Sequence, residues 1–264
     1  MDVIKINGEK EPFSALKIER TCLRAGASPQ HAKTIALEVK KQIYPGISTK
    51  EIYKLTLRLL RKHPGLEQRY SLKQAIMRLG PHGFAFEYFV AALLKEHGFK
   101  TQVDVSVHGK CVPQEIDIVA EKERKYMIEC KYHNQLGSYT DLKAMMYTYA
   151  RFLDVKNKFD EGWLFCNTNC SSHALEYAKC VKLKVTSWQY PEKESLASLI
   201  HTKNLFPITI LKSVDFAVKE RFFQENILFV KNIVSMDVKL LRKKTGFSEN
   251  ALNKILKEAQ TILF

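Results

Sequence analysis

Nothing in this 264-residue sequence approaches the roughly 18 consecutive apolar residues that a membrane-crossing helix requires. The opening MDVIKINGEK also lacks the apolar stretch of a secretion signal. A soluble, cytoplasmic protein with no membrane partner is therefore expected. The six cysteines, at 22, 111, 130, 166, 170 and 180, form no C-x-x-C pair and no Cys/His spacing suited to zinc. That argues against a zinc module and for reduced thiols. Internal repeats and low-complexity tracts are missing too, and acidic residues are scarce. Asp and Glu total 28 against 42 Lys and Arg, a formal net charge of +14. A surplus of that size suits a polyanionic partner, because each cation beside a phosphate releases condensed counterions. What is present is ordinary for a globular chain: 45% hydrophobic residues, enough to build a core.

Three segments emerge along the chain, predicted as domains 1–79, 80–204 and 205–264. The first opens with Val3-Ile4-Lys5-Ile6 and Glu9 to Phe13 around Asn7-Gly8, the pair best suited to a type I′ hairpin turn. Helices are predicted from a Ser14 cap to Arg24, over Pro29–Ile43, after a Ser48-Thr49 cap, and over Arg69–Leu79. The second segment alternates: a helix over Gly83–His97 and strands at Thr101–Val107, Glu115–Ala120 and Tyr126–Tyr132. A helix at Ser138–Phe152, a strand at Trp163–Cys166, a helix at Ser172–Val181 and a strand at Lys184–Trp188 follow. That order predicts an α/β fold with a mixed sheet covered on both faces. The third segment is helical, ending in two short helices around Gly246.

The chemistry concentrates in Gln114-Glu115-Ile116-Asp117-Ile118-Val119-Ala120 and Tyr126-Met127-Ile128-Glu129-Cys130-Lys131-Tyr132. Strand alternation puts Glu129 and Lys131 on one face and Ile128 and Cys130 on the other. A hairpin centred on Glu123 pairs residues whose numbers sum to 246, placing Asp117 opposite Glu129. Two carboxylates so close repel unless a cation joins them, and hard oxygen donors suit Mg²⁺ or Mn²⁺. Lys131 would project beside that metal and stabilise charge on a phosphate. Glu87, in Phe84-Ala85-Phe86-Glu87-Tyr88-Phe89, would be either an outer metal ligand or the solvated side of an amphipathic helix.

With these residues in view, the stretch from about Gly80 to Pro191 resembles the Mrr-like members of the restriction-endonuclease-like, PD-(D/E)XK superfamily. Trp163 to Asn169, Ala174 to Ala178 and the strand ending at Trp188 fit as well. Ile116 stands where the nominal motif has Pro. The resemblance implies a metal-dependent DNA phosphodiesterase with Glu87, Asp117, Glu129 and Lys131 as catalytic residues. Asp117 and Glu129, with Glu87, would hold the metal.

The N-terminal segment resembles an ATP-cone, the regulatory nucleotide-binding domain of ribonucleotide reductases and their repressors. The matching residues are Val3-Ile4-Lys5, Asn7-Gly8, Glu11-Pro12-Phe13, Lys17-Ile18 and Gly46-Ile47-Ser48-Thr49 with Glu51-Ile52. By that resemblance Lys5 and Lys17 approach the phosphates of ATP or dATP, while Val3, Glu11 and Thr49 line the nucleoside side. Ile6 stands where such domains usually carry Arg, which removes one charge-assisted phosphate contact.

Near the C-terminus, Leu240 to Ser248 resembles a helix–hairpin–helix, in which backbone N–H groups at a Gly turn hold a DNA phosphate. An ordinary basic helical hairpin is the other reading. Tyr147, Tyr149 and Arg151 would contact DNA or pack the core, and His133 reads as an exposed loop histidine. The whole is expected to be an Mg²⁺-dependent endonuclease with a nucleotide-sensing cone. The alternative is a non-catalytic, nucleotide-responsive DNA-binding protein that keeps a nuclease fold. Cutting both strands of a duplex would call for a homodimer.

Overall fold

The apolar periodicities of the sequence become strands and helices whose ends are fixed by local capping chemistry. The computed structural model describes residues 1–63, 65–81 and 83–263. β1 (Asp2–Ile4) and β2 (Lys10–Pro12) pair antiparallel, with Val3 opposite Glu11. Their connection differs from the type I′ expectation. Gly8 has φ +85 but Asn7 does not enter the left-handed region. Gly8 N–H donates to Lys5 O and Lys5 N–H to Glu9 O, which makes a three-residue loop ending on a left-handed glycine. Such a loop demands positive φ at one position, which glycine supplies alone.

α1 (Ala15–Arg24), α2 (Pro29–Lys41) and α3 (Thr49–Leu60) follow. Ser14 precedes α1 but makes no side-chain cap, whereas Ser28 caps α2 and Ser48 with Glu51 forms a full capping box on α3. The single helix expected over Arg69–Leu79 is two short ones, α4 (Leu66–Tyr70) and α5 (Leu72–Met77). Ser71 breaks it: its hydroxyl donates to Glu67 O and accepts from Tyr53. Ile18, Cys22, Ile35, Val39, Ile52 and Leu60 build the core between these helices.

Residues Ile76–Pro207 form one compact unit. α6 (Phe84–Glu96) leads into β3 (Lys100–His108), β4 (Pro113–Glu121) and β5 (Lys125–Lys131). Then come β6 (Tyr139–Thr140), α7 (Leu142–Val155), β7 (Glu161–Cys166), β8 (Asn169–Cys170), α8 (Ser172–Cys180), β9 (Lys184–Thr186) and α9 (Leu196–Thr202). The main sheet has the order β3-β4-β5-β7-β9, antiparallel on the β3 side and parallel from β5 onward. This is the mixed α/β sheet read from the sequence. Met127 and Ile128 are neighbours in β5 and both fully buried, so both faces of the sheet are covered. Ser138 and Tyr139 lie outside the helix expected there, because Asp141 caps α7 by accepting from Ala144 N–H.

The final segment holds α10 (Phe216–Gln224), α11 (Val230–Val234), α12 (Val238–Thr245) and α13 (Glu249–Leu263). Sequence places it last, yet Ile208–Phe264 joins Met1–Ala75 in a single compact unit. Arg69 clasps the two stretches, donating to Ala25 O at 2.6 Å and to Ile262 O at 2.8 Å. Lys212 pairs with Glu67 at 2.7 Å, and a Cβ on Gly65 would overlap the Thr261 carbonyl. Among the described residues no helix is long and apolar enough to cross a membrane.

Candidate active site

β4 and β5 pair in the predicted register: Glu121 with Lys125, Ala120 with Tyr126, Val119 with Met127 and Ile118 with Ile128. At the next position the ladder opens. Asp117 does not pair with Glu129 across it; its carboxylate instead accepts the Cys130 N–H at 2.7 Å. β5 meanwhile continues in parallel with β7 as far as Lys131. The two strands therefore diverge where the acidic residues lie.

The β3 side carries a matching irregularity. Val103 pairs with Ile118 and Val105 with Ile116, and Asp104, between them, has φ +54. A non-glycine residue in that region inside a strand holds local strain. Asp104 and Asp117 thus occupy the same level of the sheet, both outside the ladder.

Electrostatics link these carboxyls to Glu87 in the first turn of α6. Burial, then the neighbouring charges of Asp117 and Asp104, push Glu87 up to about 7. Glu129 is likewise pushed up to about 7, by burial first and Asp117 second, against the pull of Arg151 and Lys131. Burial also raises Asp117, although the Cys130 N–H and Arg151 oppose it. The acidic residues are thus crowded and short of positive charge.

Arg151, on α7, supplies part of that charge. Its guanidinium donates to the Glu129 carboxylate and the Glu115 carbonyl, and through Nε to Gln114 Oε1 at 3.1 Å. Lys131 is exposed, and it lines a cavity of about 380 Å³ with Glu129, His133, Asp141, Lys143 and Tyr147. His133 is half-buried rather than a free loop residue. Asn167 holds its backbone on both sides, accepting its N–H and donating to its carbonyl, while its ring meets Thr140 Oγ1 at 3.3 Å.

The donor set suits a hard divalent cation. Among the described residues no group of three His, Cys, Asp or Glu side chains forms a ready-made cage. Mg²⁺, however, commonly takes one or two carboxylates and completes its shell with water and phosphate oxygens. The carboxyl crowding raised by burial is the kind that such an ion relieves. Arg151 holds one Glu129 oxygen, which leaves the other to serve as a single-oxygen ligand.

The cone residues gather separately. Lys17 Nζ lies 3.0 Å and Lys5 Nζ 3.6 Å from Glu11 Oε2. Val3, buried, pairs with Glu11 across the hairpin. Thr49 begins α3 directly after Ser48, whose backbone bridges to Ile4. Ile6 is exposed at the loop.

Comparison with known proteins agrees with both architectures. Residues 1–72 match the ATP cone domain and residues 80–197 a restriction endonuclease domain, so one chain carries both. Residues 206–263 match the family described as AF1548-like, C-terminal. An uncharacterized protein of Archaeoglobus fulgidus is 46% identical over 176 residues, covering 66% of this chain and 99% of the relative. The chain belongs to the AF1548-like family. The crystal structure of the protein of unknown function AF1548 superposes on this AF1548-like chain with a TM-score of 0.62 at 44% identity. That match covers 69% of this chain and 98% of the other. Can2 from Sulfobacillus thermosulfidooxidans, in complex with cyclic tetra-adenylate, gives a TM-score of 0.36 at 15% identity over 75% of this chain and 63% of the other. That likeness is too slight to carry functional meaning. The match to a restriction endonuclease domain supports a nuclease-type function for this AF1548-like chain.

Three residues of the site escaped the sequence reading. Asp104 alternates with valines like any solvated strand face, and its positive φ leaves no trace in sequence. Gln114 precedes the acidic residues on the strand, and nothing in its spacing announces its contact with Arg151. Arg151 has the helical spacing of a DNA contact or a core residue, and only the fold sets it against Glu129.

Proposed function

We propose that this chain is a Mg²⁺- or Mn²⁺-dependent DNA endonuclease whose cone binds ATP or dATP as a regulator. The observation that supports it best is the opening of the β4–β5 ladder at Asp117, with Glu129 and Lys131 beside it on β5. Asp117 and Glu129 would hold the ion, with Glu87 as an outer ligand. A divalent cation, when bound, supplies positive charge at the scissile phosphate. Lys131, free to reach into the adjoining cavity, hydrogen-bonds a phosphate oxygen and orients the attacking water. The water oxygen bonds to phosphorus and releases a proton to solvent, the phosphorus–oxygen bond to the leaving group breaks, and the leaving oxygen takes a proton from solvent. Most of the work is positioning and charge neutralisation, so few side chains suffice.

In the cone, Lys5 and Lys17 would exchange the Glu11 carboxylate for nucleotide phosphates, and Val3, Glu11 and Thr49 would line the nucleoside side. A second reading, a nucleotide-responsive DNA-binding protein that does not cut, draws on the Arg151–Glu129 pair, which neutralises part of the Glu129 charge and occupies one of its oxygens.

The test is cleavage of supercoiled plasmid with Mg²⁺ or Mn²⁺, with and without ATP or dATP, comparing wild type with Asp117→Ala and Lys131→Ala. Cleavage by wild type that both substitutions abolish is expected, with nucleotide changing its rate. Wild type as inert as the variants under every metal and nucleotide would favour the second reading.

A further inference from the structure

The last three helices carry a surface that the nuclease chemistry does not use. α12 ends at Gly246, whose φ of +76 lets its N–H donate back to Arg242 O at 2.8 Å. Only Gly246, Phe247 and Ser248 separate α12 from α13, and Ser248 Oγ accepts Ala251 N–H to start the new helix. Two helices joined by a three-residue glycine turn have the layout of a helix-turn-helix.

This turn is anchored from behind. Arg221 of α10 donates to the Lys244 carbonyl and, at 3.1 Å, to that of Thr245. The Phe247 ring meets Phe222 edge-on at 5.8 Å. One side of α13 is core: Leu252, Ile255, Ala259 and Ile262 are buried, and the helix packs on α11, where Val230 and Ile233 are buried as well. The opposite side is an exposed stripe of Asn250, Asn253, Lys254 and Lys257, spaced i, i+3, i+4 and i+7. Beside it, Lys239, Arg242 and Lys243 of α12 line an open recess of about 660 Å³ with Gly246 and Glu249.

The chemistry of the stripe is that of base reading. Asparagine amides match the N6 and N7 edge of adenine, and lysine matches the O6 and N7 edge of guanine. The cations of the preceding helix sit where phosphates flank such a helix. A helix–hairpin–helix here would offer a phosphate only the backbone amides of the turn, and an ordinary basic helical hairpin not even those; neither confers sequence information. We infer that α12, the Gly246 turn and α13 are a helix-turn-helix that lays α13 in the major groove of duplex DNA. Asn250, Asn253, Lys254 and Lys257 read bases there, and Lys239, Arg242 and Lys243 hold the backbone. The chain then carries a sequence preference of its own, whether or not it cuts.

The full chain, with EDTA present so that nothing is cleaved, is incubated with duplexes carrying a random central segment, and bound sequences are recovered. Wild type should enrich a short common sequence and bind it at least about tenfold more tightly than scrambled duplex. The Asn250→Ala/Asn253→Ala double variant should lose that preference while keeping its affinity for scrambled duplex within a few-fold. Arg242→Ala/Lys243→Ala should weaken all duplexes alike and shrink the salt dependence by about two contacts. All four substituted side chains are exposed, so a melting temperature within a few degrees of wild type establishes that each variant is folded. Binding without any enriched sequence, enrichment unchanged in the asparagine variant, or no duplex binding at all would each overturn the inference. Plasmid cleavage with Mg²⁺ judges the nuclease separately, so the two readings fail independently.

Discussion

Each of the two units carries a cluster of charged side chains, and the clusters differ in what surrounds them. In the cone, Lys17 and Glu11 meet at 3.0 Å with side chains 65% and 26% exposed. In the nuclease unit, Glu129 and Arg151 meet with side chains 15% and 12% exposed, among further carboxyls. Water screens the first pair, so it is worth little to stability and is readily traded for a phosphate. The second lies where desolvation governs: burial first and the neighbouring carboxylates second push Glu87 and Glu129 upward, and Arg151 and Lys131 offset only part of the rise at Glu129. Burial, rather than the number of charges, sets how strongly a cluster calls for an external ion.

The largest effect expected from that contrast is on cleavage. Asp117→Ala removes a carboxylate fixed to the strand backbone by the Cys130 N–H, and plasmid cleavage should fall by about a thousandfold or more. Retained cleavage would separate the buried cluster from the chemistry altogether.

Next in size is stability. Arg151→Ala strips Glu129 of its buried partner and should cost about 2 kcal/mol in denaturant unfolding without metal. Added Mg²⁺ should recover more of that loss in the variant than it adds to wild type. Equal metal stabilisation of both proteins would mean that Arg151 and the ion do not compete for Glu129.

The pH dependence is smaller. Glu87 and Glu129 bind protons more tightly folded than unfolded, so their contribution is fully present below about 4.5, the ordinary carboxyl value, and lost as pH rises to about 7. In EDTA the melting temperature should fall by roughly 5 °C across that window, and less in Glu129→Gln. A flat profile, or an equal fall in the variant, would remove these groups as its cause.

The smallest effect belongs to the cone. Lys17→Ala should change stability by less than about 0.5 kcal/mol while weakening ATP binding, read by titration calorimetry on the full chain. A large loss of stability would erase the contrast between the clusters. Ile6→Arg should strengthen nucleotide binding if the exposed loop position faces the phosphates.

Much of the architecture was legible. Ser48 with Glu51 announced α3, and the symmetric spacing around Glu123 gave the register that β4 and β5 adopt. These signals are local: a cap and its helix, or a turn and its two strands, lie within a few residues of each other. Where side chains offered a second local option, reading failed, as at Ser71, whose hydroxyl divides one expected helix in two. The hairpin loop also kept its glycine but not its expected turn type.

By itself the sequence determined which carboxylates and lysine share a strand face, because alternation along a strand is fixed by backbone geometry. It determined the net charge of +14 and the division into α/β and helical segments. Only the tertiary structure decided that Asp117 leaves the ladder for the Cys130 N–H, that Arg151 meets Glu129, and that the last helices join the first through Arg69. These contacts link residues 13, 22 and 193 positions apart. Their strength comes from burial, which no stretch of sequence reports until the chain has closed around it.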